Sequence, residues 1–299
     1  MRSLLRESFS IDHADCEGDM LLEEYLLLHS SMLFSKKAIR KVVKQRGILV
    51  QGKPVSRSYV IRPGDQVEVR KKESPPGPPF ELPLRILYED SHCAVVEKPP
   101  GFSVNGNLFK TVENALAFNL EPSKEKGALM KPRPVHRLDK PTGGLLLAAK
   151  TSSAMINLSR QFQRGEVYKA YEALVCGDPG GEGRVESPID GRSASTEYFA
   201  LRQVPSLKNG HLTWLRLFPK SGRMHQLRRH CAELATPIHG DTLYGEEGRV
   251  LRGKGLFLWS VLIAFRHPYE GHHIVIKITP PGKFTTMMER EERRYKKYN

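Results

Sequence analysis

His136-Arg137-Leu138-Asp139-Lys140-Pro141-Thr142-Gly143-Gly144-Leu145-Leu146-Leu147 sets one carboxylate between cationic neighbours and just ahead of a Pro/Gly turn. Leu145-Leu146-Leu147-Ala148-Ala149 then continue as a short apolar run, the pattern of a strand buried on both faces. An acid placed where a tight turn meets a buried strand is held rigidly, and with Arg137 and Lys140 beside it Asp139 is expected to carry its charge. A lone Asp at such a point usually does no more than cap the turn. The rest of the chain decides whether Asp139 does more.

Outward from this point, strand-like runs recur at 93–96, 167–175, 196–201, 213–218 and 274–278, interrupted by helix-period segments at 154–164 and 223–235. Strands and helices mixed in one block predict an α+β domain, bounded here at 84–288. In the second helical segment Met224, Leu227, Cys231 and Leu234 form one apolar stripe, with Arg229 opposite it and Arg228 at its edge. A partly buried guanidinium needs an anion, and Asp139 is the candidate; the alternative is that Arg228 snorkels to water. In the strand at 167–175, Val167, Tyr171, Ala173 and Val175 share a face, and by pattern alone Tyr171 is a core residue with a satisfied hydroxyl.

The chain has 299 residues, with 47 Lys and Arg against 33 Asp and Glu, a formal net charge of +14. That excess favours a polyanionic partner, nucleic acid before an anionic membrane surface. Cys16, Cys93, Cys176 and Cys231 are scattered, which suggests neither a zinc site nor a disulfide framework and fits a reducing, cytoplasmic compartment. His225 and His230 are five apart and His272-His273 adjacent, so no metal site is expected. No apolar run has membrane-span length, and no signal core is expected at the start, so Asn157-Leu158-Ser159 reads as a chance sequon. Phosphate-binding and dinucleotide glycine motifs are missing, so no cofactor is expected.

Lys71-Lys72-Glu73-Ser74-Pro75-Pro76-Gly77-Pro78-Pro79 suits neither helix nor central strand and divides the chain, with a Pro-rich linker at 71–83. Before it, residues 1–18 read as an extension and 19–70 as a small module of helix, helix and short strands. Leu21, Leu22, Tyr25 and Leu26 mark its first helix. Ser35 is placed to cap a second, 36–46, stopped by Gly47. That helix puts Ala38, Ile39, Val42 and Val43 on an apolar stripe; Lys36, Arg40 and Lys44 recur along another face, with Lys37 and Lys41 beside them and Arg46 at the end. Residues 289–299 read as a charged, solvated tail.

Five strings carry a family resemblance. H-R-L-D-x-x-T-x-G-L at Asp139 resembles the signature of the RluA-type pseudouridine synthases. Ser221-Gly222-Arg223-Met224-His225-Gln226-Leu227-Arg228-Arg229-His230 resembles a second motif, K-x-Y-x-A-x-V-x-G at Lys169 a third, Glu97-Lys98-Pro99-Pro100-Gly101 an N-K-P-x-G segment, and Pro237-Ile238-His239-Gly240-Asp241-Thr242-Leu243-Tyr244-Gly245 a P-I-x-G-D-x-x-Y-G segment. All occur in family order. The module at 19–70 is similar to the RNA-binding unit named after a ribosomal small-subunit protein, through S-K-K-A-I-R-K-V-V-K-Q-R-G-I-L-V-Q-G-K-P-V and R-P-G-D-Q-V-E-V.

The resemblance implies a mixed, mainly antiparallel sheet and cofactor-free isomerisation of uridine to pseudouridine in RNA. It implies that Asp139 is catalytic, that Arg228 pairs with it, and that Tyr171 stacks on the base and assists proton transfer. It implies that His136, Arg137, Leu138, Thr142, Lys98, Arg223, His225 and Gln226 surround the substrate, Arg137 occupying the space of a flipped base. For the module it implies that Lys36, Lys37, Arg40, Lys41, Lys44 and Arg46 meet RNA phosphates. Ribosomal RNA is the first expected substrate, transfer RNA the second, and a monomer the expected state. Departures are Gly143 in place of a usual Ser, Ser221 and Met224 in place of Thr, and Leu256-Phe257-Leu258-Trp259-Ser260 in place of L-x-L-H-A. Two other readings stand beside this one. One is a non-catalytic RNA-binding or ribosome-assembly protein. The other is a glycosidic hydrolase, for which a second carboxylate is wanting.

Overall fold

The computed structural model describes residues 4–13, 15, 19–30, 32–33, 36–72, 78–245 and 253–299. At the N-terminus, β1 (Leu4–Ser10), β2 (Ile48–Val50), β3 (Lys53–Pro54) and β4 (Gln66–Lys72) form an antiparallel sheet in the order β1-β4-β2-β3. Against it lie α1 (Leu22–His29) and α2 (Lys36–Lys44), and Leu22, Tyr25, Leu26, Ile39, Val42, Ile48, Val67 and Val69 close a core of their own. Helix α2 buries Ile39 and Val42 and leaves Lys36, Lys37, Arg40, Lys41 and Lys44 exposed. It ends at Lys44, two residues short of the expected 36–46, because the chain must pass under β4: Arg46 turns to φ 55°, and a Cβ on Gly47 would meet the Arg70 carbonyl oxygen at 2.3 Å. The proposed cap, Ser35, lies outside the described residues.

The second body is built on a ten-stranded sheet. Its strands are β5 (Arg85–Glu89), β6 (Cys93–Lys98), β7 (Ala128–Pro134), β8 (Gly143–Thr151), β9 (Tyr168–Cys176), β10 (Glu182–Val185), β11 (Thr196–Ser206), β12 (Gly210–Pro219), β13 (Leu258–Arg266) and β14 (His273–Lys277). The main path runs β10-β11-β12-β9-β13-β8-β6-β5, with β14 on β13 and β7 on β8. Every residue of β8 is buried, as the apolar run after Asp139 requires. All pairings are antiparallel except the short parallel contact of β13 with β8, Trp259 opposite Gly143 and Ser260 opposite Gly144. That contact needs two glycines: a Cβ at 143 would lie 2.2 Å from the Trp259 ring, and one at 144 would lie 2.2 Å from the Ser260 carbonyl oxygen. Because β13 also pairs with β9, Ser260 opposite Tyr171, the turn before β8 and Tyr171 are drawn to one place.

The helices are α3 (Val112–Asn119), α4 (Ser152–Gln163), α5 (Gln226–Glu233) and α6 (Lys283–Tyr298). Residues of α3 and α5 pack on the core that holds Leu138 and Tyr171; α4 packs on a second core with β8 and β14, and α6 on a third with Phe257 and Trp259. Outside the cores, Asp90 ties the β5–β6 turn to the end of β13: Oδ1 accepts from the His92 and Cys93 amides, and Oδ2 accepts from His267 Nε2 at 2.9 Å and from Tyr88. No helix of the described residues is long and apolar enough to cross a membrane.

Three expected boundaries move. Residues 4–10 are not an extension but an edge strand paired along its whole length with β4. The expected linker is partly structured: Lys71 belongs to β4, residues 73–77 lie outside the description, and Phe80 and Leu82 pack on the core that holds Leu138 and Tyr171. The expected tail continues α6, anchored by Phe284, Met287 and Met288, with Glu291 buried and accepting from Ser206 Oγ at 2.8 Å.

Candidate active site

Asp139 sits in the turn between β7 and β8, its side chain 16% exposed. The turn closes through the Thr142 amide, which donates to the Asp139 carbonyl at 3.0 Å. Beneath it Lys98, at the end of β6 and wholly buried, donates to the carbonyls of Pro99 (3.0 Å), Lys140 (3.3 Å) and Thr142 (2.6 Å). Lys98 was expected at the substrate; the structure instead has it bracing the loop that holds Asp139, with its head spent on backbone oxygens. Burial pushes its ammonium down to about 8, partly offset by the Asp139 charge.

The Lys98 assignment has a measurable consequence. Lys98→Met, which leaves those carbonyls without their donor, should lower stability by about 3 kcal/mol. Because the folded value lies below the unfolded one, the unfolded chain holds more protons between about pH 8 and about pH 10.4. The lysine's contribution to the fold therefore improves as pH rises through that window. Urea melts should show the gap between the two proteins widening from pH 8 to 10; a constant gap would remove the assigned burial cost.

Two basic side chains face Asp139, one from α5 and one from the residue before it. Arg228 Nη1 lies 3.8 Å from Asp139 Oδ2, and His225 Nε2 lies 3.8 Å from Oδ1. Arg228 is buried, as the stripe-edge position implied, but its two short bonds go elsewhere: Nε and Nη2 donate to Asp241 Oδ2 and Oδ1 at 2.7 Å each. The expected partner Asp139 thus lies at ion-pair distance from the third nitrogen, while a bidentate clamp on Asp241, which was not expected, takes the other two. Asp241 also accepts from the Leu243 and Tyr244 amides. Burial would raise its pKa, but these bonds prevail and hold it below the ordinary carboxylate value.

His225 adopts φ 55°, ψ 25°, a left-handed conformation that L-residues rarely take outside functional or turn positions. Its Nδ1 lies 3.0 Å from the Tyr244 hydroxyl, and Arg228 stacks over the Tyr244 ring at 5.0 Å. This irregular entry starts α5 only at Gln226, so Met224, expected on the buried stripe, lies before the helix and is 55% exposed. Gln226 is buried and uses both ends of its amide: Oε1 accepts from Ser221 Oγ and the Arg223 amide, and Nε2 donates to the Ser195 carbonyl and Thr196 Oγ1. Arg223 Nε donates to the Ser193 carbonyl. His230 turns away to Thr196 and Ser187, so it shares no ligand position with His225.

Tyr171 is 9% exposed, in the middle of β9. Burial pushes its phenol up to about 12, with a hydrogen bond from Ser260 lowering it and the Asp139 charge raising it. It is therefore a neutral phenol near pH 7 and not a ready base. His136 is held near 3 by burial and by Lys169; its neutral Nε2 accepts from the Leu147 amide at 2.9 Å, and its ring stacks on Phe162.

These groups line one cleft of about 1400 Å³. His136, Arg137, Leu138, Asp139, Thr142, Tyr171, Arg223, His225, Gln226 and Arg228 all reach it, and Lys98 does not. Arg164, Lys169 and Lys220 add to Arg137, Arg223 and Arg228 around it, against Asp139, Glu166 and Glu186, so the cleft favours an anion. Sequence reasoning missed Asp241, Tyr244 and Lys169 as parts of the site. The signal for Asp241 was present: a buried Arg228 and one further acid in the P-I-x-G-D-x-x-Y-G string.

Residues 92–233 match the family model for RNA pseudouridylate synthase, and residues 25–67 match the S4 domain. An uncharacterized RNA pseudouridine synthase of Aquifex aeolicus is 33% identical over 85% of this chain and 88% of its own. The ribosomal large subunit pseudouridine synthase D of Vibrio cholerae is 31% identical over 85% and 86%. Human RNA Pseudouridylate Synthase Domain Containing 1 shares the fold, with a TM-score of 0.56 at 24% identity over 67% of this chain and 84% of that one. A turn that presents one carboxylate beside a buried arginine, on a sheet of this topology and with these relatives, leaves one assignment: the chain belongs to the RNA pseudouridylate synthase family and is an RNA pseudouridine synthase carrying an S4 domain.

Proposed function

We propose that the protein isomerises a uridine of large-subunit ribosomal RNA, acting as a cytoplasmic monomer. The substrate is inferred from similarity to relatives named for the ribosomal large subunit. The observation that carries the catalytic reading is the carboxylate of Asp139 at the cleft wall, 3.8 Å from both Arg228 and His225, with Tyr171 lining the same space. The target base cannot be reached inside a helix and is flipped into the cleft, at a cost that is least in loops and bulges. Tyr171 lies against the base, and Arg137, exposed at the mouth, takes the vacated place in the RNA.

In the reaction the bond from ribose C1′ to uracil N1 breaks and a bond from C1′ to C5 forms. N1 gains a proton and C5 loses one, so composition and oxidation state do not change. Asp139 acts on the ribose, as nucleophile at C1′ or as acceptor of the C2′ proton. Arg228, fixed by Asp241, aims the carboxylate and favours its charged form when it is regenerated. The high pKa of Tyr171 favours a stacking role over acceptance of the C5 proton.

The basic face of α2 supplies phosphate contacts. Lys36, Arg40 and Lys44 changed together to Ala in the full chain should weaken RNA binding and flatten the slope of log K against log salt by about 2. An unchanged slope would remove α2 from the interface. Pseudouridine mapping of ribosomal RNA from cells with and without the protein tests the whole reading: one uridine site should vanish on deletion and return with the wild-type gene. Return of that site with an Asp139→Ala gene would overturn the mechanism.

A further inference from the structure

The cleft is not the only space that reaches Asp139. A second cavity of about 390 Å³ is lined by the same Asp139, Arg137, His225 and Arg228, which form a wall common to both. Its other lining differs, with Val104 and Leu243 apolar, Lys140 cationic and Asn105 offering an amide. The volume lies in the range of about 300–1,000 Å³ typical of small-ligand sites. The exposed Asn105 side chain makes no hydrogen bond to another described residue and presents a donor and an acceptor at the cavity wall, the pair that reads a base edge.

The loop that carries Asn105 is tied at its base, where the Val112 and Glu113 amides donate to the carbonyls of Ser103 and Val104 at 3.0 and 2.8 Å. At its tip Asn107 accepts from Lys37 Nζ at 3.2 Å. One loop therefore touches both this cavity and the basic face of α2. Given the synthase reading, on which this step rests, the flipped uridine fills the large cleft. The nucleotide joined to it by a single phosphate must lie within reach of Asp139 as well.

We propose that the smaller cavity is a subsite for the nucleotide next to the target uridine, read through Asn105, and that the RNA chain passes from it onto α2. The geometry makes the protein selective for the sequence beside its target as well as for the shape of the RNA.

The test is single-turnover pseudouridine formation on transcripts carrying the mapped ribosomal target, with each flanking position in turn made abasic or replaced by the other three bases. On one flank the abasic RNA should react about tenfold or more slowly than the native one, the scale of one lost base contact. Asn105→Ala should bring the native RNA down to that rate and slow the abasic RNA no further. Asn105→Trp, which fills the cavity, should slow the native RNA and leave the abasic RNA unchanged. Equal rates for abasic and native RNA on both flanks would overturn the subsite. So would Asn105 variants that slow both RNAs equally, the mark of a merely structural loop. A wild-type protein that forms no pseudouridine on any transcript would overturn the synthase reading itself, a different outcome.

Discussion

Asn in place of Asp139 is expected to reduce pseudouridine formation by at least roughly a thousandfold, whichever way the carboxylate acts. The amide can neither attack C1′ nor accept a ribose proton, yet it matches the carboxylate in size. The neighbours should stay in place, because Arg228 keeps both short bonds to Asp241 and the turn is held by the Thr142 amide and Lys98. RNA affinity should hold within about threefold, since phosphate contacts supply most of it. The measurement is single-turnover conversion beside filter binding on one RNA. A variant that binds and still converts at a tenth of the wild-type rate would take Asp139 out of the chemistry.

The second large effect falls on Asp241, which never reaches the large cleft. Asp241→Ala leaves a buried guanidinium without its bidentate partner and strips the Leu243 and Tyr244 amides of their acceptor. Removing one member of a buried ion pair costs about 3–5 kcal/mol. The loss should appear as a lower melting temperature, and as slower catalysis at temperatures where the variant is still folded, because Arg228 is then free to close on Asp139. A double change, Asp241→Leu with Arg228→Met, should be more stable than Asp241→Ala alone while remaining inactive. The pH dependence has a definite sign. The folded pKa of Asp241 is depressed, so its contribution is complete above the unfolded value of about 3.9 and disappears as pH falls through the folded one. Wild type should lose stability on that acid limb and Asp241→Ala should lack that portion of the loss. Equal stability of the two proteins at pH 7 would refute the clamp.

The buried strand after Asp139, the strand of Tyr171 and the helix of Arg228 were legible because each carries its own period or apolar run. Less legible were elements whose residues answer to distant partners. β1 reads as an extension because the partner of Leu4–Ser10 lies far along the chain, in Gln66–Lys72 of β4. The residues of α6 look like a solvated tail because their charges dominate the pattern, while Phe284, Met287 and Met288 do the anchoring. In the site, motif resemblance named the residues and one pair, Asp139 with Arg228, but not the Asp241 that holds the arginine. Lys98 looked like a substrate contact because charge is usually solvated, and only the fold shows three carbonyls waiting for it. His225 spoiled the helical stripe through a left-handed turn that no periodicity announces.

The meeting of Gly143 with Trp259 also ties two distant positions into one choice. Any side chain at 143 would place its Cβ 2.2 Å from the indole, so the tryptophan tolerates only glycine opposite it. Bringing a side chain back to 143 alone would drive it into the ring. The pair works as an interlock beneath the turn that carries Asp139: restoring a side chain at 143 on this backbone calls for a smaller residue at 259 as well.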